Sequence, residues 1–213
     1  MWFKKRKQVR KAAINRKTNE VDIKGEFVVD GRGKARINTG FEPLNHLLTL
    51  FSFHGLFDLS LNAGGDLQHH IIEDIGIALG KAFKEALGDK SGINRYGSFS
   101  ATMDKVVVEA NIDISGRPTL HKQVSANNEM TINNIWDHSK FDDTSFTSKD
   151  AEEFLEAFTQ HGGLSLVYNI KSGEGDLHHL LEALFKAMGK ALDQATQIDS
   201  RRKGVPSTKG IID

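Results

Sequence analysis

Ile72, Ile75, Leu79, Ala82, Phe83 and Ala86 fall three or four positions apart, and so do Leu181, Leu184, Phe185, Met188 and Leu192 further along. That spacing predicts two amphipathic helices, each burying one stripe. Two shorter stripes have the same period: Leu44, Leu47, Leu48 and Phe51, then Ala151, Phe154, Leu155 and Phe158. Between the stripes of each pair the period changes to two. Phe57, Leu59 and Leu61 alternate with polar or small residues, as do Leu164, Leu166, Tyr168 and Ile170, which predicts strands with one buried face. Upstream of each set lie short β-branched runs bounded by Gly, Asn or Pro: "VDIKGEFVV" and "KARIN", then "KVVVEANIDIS" and "TLHKQV".

The order of these signals repeats. His54-Gly55 aligns with His161-Gly162 and His69 with His178, the second copy carrying two extra residues between those points. The expected fold is therefore α+β: an internal duplication of two β-β-α-β-α lobes, each a small mixed sheet with helices on one face. The first lobe is assigned to residues 1–93 and the second to 94–213, with "GDKSGINRYGS" as the joint.

Composition narrows the function. Lys plus Arg and Asp plus Glu both total 28, so no net field draws the chain to nucleic acid or an anionic membrane. No apolar run approaches membrane-spanning length, and "MWFKKRKQVRKAAINRKTNE" is basic without a hydrophobic region after it; the reading is a cytoplasmic protein, with Lys4–Lys7 a solvated tail or edge strand. Cysteine is absent, which leaves His, Asp and Glu to hold any metal ion.

Such residues cluster where the long helices begin, in "HHIIE" and "HHLLE". In a helix His69 and Glu73 share a face, as do His178 and Glu182, being four apart; His70 and His179 stand three from the same glutamates. Neighbouring side chains diverge by roughly 100° about a helix axis, so each HH pair suits two different ions better than one. The repeat also matches His46 with Glu153, a further pair of candidate ligands. Imidazole and carboxylate without thiolate suit manganese, iron, zinc or nickel, and the carboxylate content leans towards manganese.

The doubled HHxxE, with "RKTNE", "GINRYGS", "ISGRP" and "VPSTKG" in order around it, resembles the imidazoleglycerol-phosphate dehydratase family of histidine biosynthesis from Arg16 to Ile212. The resemblance implies loss of water from imidazole glycerol phosphate to give imidazole acetol phosphate. It also implies two manganese ions per active site, sites at subunit interfaces and a homo-oligomer of 24 subunits. Carried over by motif, the ligands are His46, His69, His70, Glu73, Glu153, His178, His179 and Glu182, and Glu20 of "RKTNE" is the proton-transfer residue. Arg95, Arg117, Lys186, Ser207 and Lys209 are the expected phosphate cradle. Such a role for the metal fits the chemistry, because the proton to be removed is not acidic and the ring needs help as an electron sink.

Several positions depart from the family pattern. Gln68 stands where an acidic residue customarily precedes the first HH, Ile71 where threonine is usual, Glu42-Pro43 where glycine and an aromatic are, and Glu153 in place of a histidine. The segment "SANNEMTINNIWDHSKFDDTSF" is atypical, and His121 and His138 are read as surface residues. A carboxylate missing at Gln68 would leave a ligating imidazole less well oriented. Two alternatives therefore stand beside the dehydratase: a catalytically impaired homologue keeping metal for assembly, and a di-metal hydrolase of phosphorylated small molecules.

Overall fold

The computed structural model describes residues 9–212, so Lys4–Lys7 lie outside the described residues. The first lobe runs β1 (Lys11–Lys17), β2 (Val21–Val28), β3 (Ala35–Asn38), α1 (Glu42–Gly55), β4 (Asp58–Gly65), α2 (Gln68–Leu87). The second runs β5 (Tyr96–Met103), β6 (Val106–Asp113), β7 (Thr119–Val124), α3 (Glu129–His138), α4 (Ser148–Gly162), β8 (Ser165–Gly173), α5 (Leu177–Thr196). Each lobe thus opens with one strand more than the apolar pattern announced. The expected joint is shorter than read, since its last residues, Tyr96 to Ser98, are already strand β5. The extra helix α3 belongs to the second lobe alone and falls in the atypical segment.

The two sheets have matching topologies, β1-β2-β4-β3 and β5-β6-β8-β7. In each, the first three neighbours are antiparallel and the short outer strand pairs in parallel with the last strand of its lobe. Alternation decides which face is covered. Val21, Ile23 and Phe27 of β2 and Leu59, Leu61 and Ala63 of β4 are buried, whereas Lys24, Ser60 and Asn62 are exposed. Strand β6 repeats this, with Val106, Val108, Ala110 and Ile112 turned inward. All the helical stripes read from the sequence are buried in one continuous core. Full burial of each large aliphatic or aromatic side chain contributes on the order of 1.5–3 kcal/mol.

The helices pack across the duplication, α2 on α4 and α1 on α5. Both contacts are close enough to need glycine, and at equivalent positions. A Cβ on Gly80 would stand 2.7 Å from the Phe158 carbonyl oxygen, and one on Gly189 2.6 Å from that of Phe51. Gln68 meets Asp150 near the helix starts while Gly80 meets Gly162 further on, so α2 and α4 run parallel and their N-termini lie at the same end. Pro43 causes no break, because it sits in the first turn of α1, where an N–H has no intrahelical partner to lose. None of the helices among the described residues is long and apolar enough to cross a membrane.

Candidate metal centre

Helix α1 carries His46 to the start of α5. There the His46 Nε2 lies 2.5 Å from Glu182 Oε1, and His178 Nε2 lies 3.3 Å from the same oxygen. One ligand atom from each of the three falls within 4.8 Å of the others. Two imidazole nitrogens and a carboxylate oxygen converging at that spacing fit a divalent cation of the manganese-to-zinc series. The cluster joins the lobes, since α1 belongs to one and α5 to the other. Burial pushes the Glu182 carboxyl up, but hydrogen bonds from Lys186 (2.8 Å) and His46 outweigh it and bring it down to about 2. Glu182 is consequently an anion wherever the protein is folded at ordinary pH.

The duplication places a counterpart on α2 and α4. His69, Glu73 and Glu153 line one cavity of about 410 Å³ with Glu156, Gln160 and His161. Burial, then the neighbouring Asp150, raises the Glu153 carboxyl. The two sets differ in three respects: among the described residues only His46, His178 and Glu182 bring their ligand atoms within 4.8 Å of one another, Glu153 takes the place of His46 in the repeat, and the position matching Lys186 is Ile77. Lysine grips the carboxylate in one cluster and an aliphatic side chain faces the cavity in the other.

The second histidine of each pair turns elsewhere, as the angle between neighbouring helical side chains requires. His70 Nδ1 is 2.8 Å from Asp66 and 3.9 Å from Glu20, which reaches over from the β1–β2 turn. His179 is held between Asp176, 2.6 Å from Nδ1, and Asp104, 3.1 Å from Nε2. Asp176 is also the cap of α5, accepting from the His179 backbone N–H. Hydrogen bonding to Asp66 raises His70, and hydrogen bonding to Asp176 raises His179. The shortened approach to the first HH therefore still delivers a carboxylate to an imidazole, through Asp66, while Gln68 bonds Asp150 (3.0 Å) and Ser145 (2.9 Å). "GD" preceding both HH motifs was a legible signal for Asp66 and Asp176. No pattern pointed to Asp142, whose carboxylate lies 2.9 Å from His178 Nδ1.

The expected phosphate residues fall into separate places. Lys186 stands in the α1–α5 cluster, also near the Met103 sulfur. Arg95 has its guanidinium on both Asp113 oxygens (2.6 and 3.1 Å) and on the Pro206 carbonyl (3.1 Å), so it clips the C-terminal segment to the sheet. Ser207 and Lys209 form the turn after that clip, with the Ser207 hydroxyl accepting from the Lys209 N–H. The Arg117 carbonyl accepts from Ser115 and Ser165. Among the described residues no hydrogen bond or ion pair links Lys186 to Arg95, Arg117, Ser207 or Lys209. His121 and His138 are exposed, as read.

Comparison with known proteins supplies the family. Residues 39–192 match the family model described as imidazoleglycerol-phosphate dehydratase. Imidazoleglycerol-phosphate dehydratase of Pelobacter propionicus is 47% identical over 95% of this chain and 99% of its own length, and that of a Thermoanaerobacter species 44% identical over 96% and 100%. Among solved structures, the Staphylococcus aureus enzyme superposes with a TM-score of 0.74 at 33% identity, covering 89% of this chain and 99% of the other. That of Pyrococcus furiosus, solved with (S)-C348, gives 0.74 at 34% over 92% and 99%. This chain, with its duplicated lobes and doubled HHxxE motif, belongs to the imidazoleglycerol-phosphate dehydratase family.

Proposed function

We propose that the twin clusters are the working parts of a lyase that removes water from imidazole glycerol phosphate to give imidazole acetol phosphate, a step of histidine biosynthesis. The observation that carries the reading is the convergence of His46, His178 and Glu182 from two helices of different lobes. His46, His178 and Glu182 hold one divalent cation, His69, Glu73 and Glu153 a second, and His70 and His179 offer further nitrogens. Manganese, two ions per active site, is the cofactor this donor set suits. When bound, the metal supplies Lewis acidity and a template for the substrate ring.

The remaining work falls to the protein. Glu20, exposed beside His70, accepts the proton from the substrate carbon. Arg95, Arg117, Lys186, Ser207 and Lys209 bind the phosphate, and their separation within one chain supports a site completed by neighbouring subunits, in an assembly of 24. In each copy the division we adopt, 1–93 and 94–213, gives one HHxxE motif to each lobe. We place the enzyme in the cytoplasm. Family membership speaks against the hydrolase alternative, and the Asp66–His70 hydrogen bond, which keeps an orienting carboxylate on the second histidine of the first pair, speaks against an impaired homologue.

The test is direct. Metal-loaded protein incubated with imidazole glycerol phosphate should form a ketone whose enolate absorbs in strong alkali. Full metal content with no such product would overturn the assignment.

A further inference from the structure

Between β7 and α4 the second lobe carries a segment that the first lobe lacks, for β3 ends at Asn38 and α1 starts at Glu42. The end of this segment closes on itself. Lys140 pairs with Thr147, the Phe141 N–H donates to Phe146 O (2.7 Å), and Thr144 donates both N–H (3.2 Å) and hydroxyl (2.6 Å) to Phe141 O. The strap so formed lies against His178. Its Phe141 ring stacks on the imidazole at 4.2 Å and 22°, presents an edge towards His46 at 6.4 Å, and is itself buried. Asp142, next along, places both carboxylate oxygens 2.9–3.0 Å from His178 Nδ1. It does so in the left-handed backbone region, at φ 50°, which a residue other than glycine adopts at a cost of roughly 1 kcal/mol.

Both ring nitrogens face carboxylates, Nδ1 towards Asp142 and Nε2 towards Glu182. A carboxylate accepts and does not donate, so once a cation takes the Nε2 lone pair the remaining ring proton sits on Nδ1, where Asp142 accepts it. Stacking fixes the ring plane, and the Asp142 hydrogen bond favours the tautomer that leaves Nε2 to a cation. His69, the equivalent histidine of the first lobe, makes an edge contact with His70 and no hydrogen bond among the described residues.

We propose that Asp142 is a positioning residue that prepares His178 as a ligand, so that the His46–His178–Glu182 cluster takes metal more tightly than the His69–Glu73–Glu153 cluster. The inference rests on both clusters holding metal, as proposed above. The strap gives one of two duplicated sites an orienting carboxylate and leaves its twin without one. Losing such a partner lowers metal affinity by about 10–100-fold.

The test uses the full-length, metal-stripped protein titrated with cobalt(II), following the visible band of the bound ion. Two affinity classes are expected. Asp142→Gly should weaken the tighter class about 10–100-fold and leave the weaker one unchanged. Because glycine relieves the left-handed backbone, the variant's metal-free thermal midpoint should not fall. Asp142→Asn keeps an acceptor and should recover most of the affinity. Asp142→Gly with both classes unchanged, or both weakened alike, overturns the proposal. Glu182→Gln is the separate control: if it too leaves both classes untouched, the metal assignment of the cluster is wrong, rather than the role of Asp142.

Discussion

Glu182 shows how one side chain can be committed by its neighbours. Its carboxylate receives Lys186, His46 and His178 together, and its acidity moves from an ordinary 4.5 to about 2. A carboxylate depressed on folding contributes stability that is complete above its unfolded value and disappears as pH falls through the folded one. The metal-free wild type should therefore lose thermal stability between pH 4.5 and 2 more steeply than Glu182→Gln, which has no proton to take up there. Equal slopes in scanning calorimetry would mean that the contacts do not persist in solution. Glu20 is the contrasting case, since it is exposed and no closer than 3.9 Å to His70. Glu20→Gln should keep the metal content of the wild type, measured by elemental analysis, while turnover falls by at least about 100-fold, the lower end of a general acid–base contribution. Unaltered turnover would remove Glu20 from the mechanism.

Helix crossings hold the two clusters in register, and there the glycines have a measurable role. In a free helix Gly→Ala adds up to about 1 kcal/mol of helix stability. At Gly80 the new methyl would press on Phe158 O and Gly162 N, and at Gly189 on Phe51 O and Gly55 N, all backbone atoms that cannot swing aside. Both Gly80→Ala and Gly189→Ala should therefore destabilise by about 1–3 kcal/mol, read as a lower urea midpoint. The same packing explains what could be read from the sequence. The stripes of α1, α2, α4 and α5 were legible because large apolar residues recur at helical spacing where they enter the core. Strands β1 and β5 were not. The inward set of β5 is Gly97, Phe99, Ala101 and Met103, and a Cβ at Gly97 would stand 1.8 Å from Ala191 O of α5. Where the helix presses so closely the strand must use a small residue, and with Gly97 and Ala101 in the inward set the alternation of large apolar residues that marks a strand is interrupted. Helix α3 buries only Ile132 and Trp136, too few to show a period. In the site, ligand types were readable from spacing within one helix, but the orienting carboxylates of Asp104 and Asp142 come from turns, where no period exists to follow.

At the scale of the molecule, each set of candidate ligands spans both lobes. His46 of the first lobe meets His178 and Glu182 of the second, and Glu153 of the second lines one cavity with His69 and Glu73 of the first, so an ion held at either place as proposed would bind only when the lobes are assembled. A ligand that prefers the folded state stabilises it by RT ln(1 + [L]/Kd), about 4 kcal/mol at a thousandfold excess over Kd. For a chain of this size each kcal/mol moves the thermal midpoint by about 2–4 °C, so one saturated site is worth roughly 10 °C. Removing metal with a chelator should lower the midpoint by that order, and restoring manganese should raise it with the logarithm of free ion. His46→Ala should reduce the slope of that line to about half, leaving the contribution of the second cluster. The measurement separates clasping within a chain from bridging between chains, because light scattering on the same samples reports the assembly. If the particle dissociates on chelation while the midpoint of each subunit stays fixed, the ions act only between subunits. If the midpoint falls before the particle comes apart, the ions add to the hold between the two halves of the duplication that the crossings of α1 on α5 and α2 on α4 already supply.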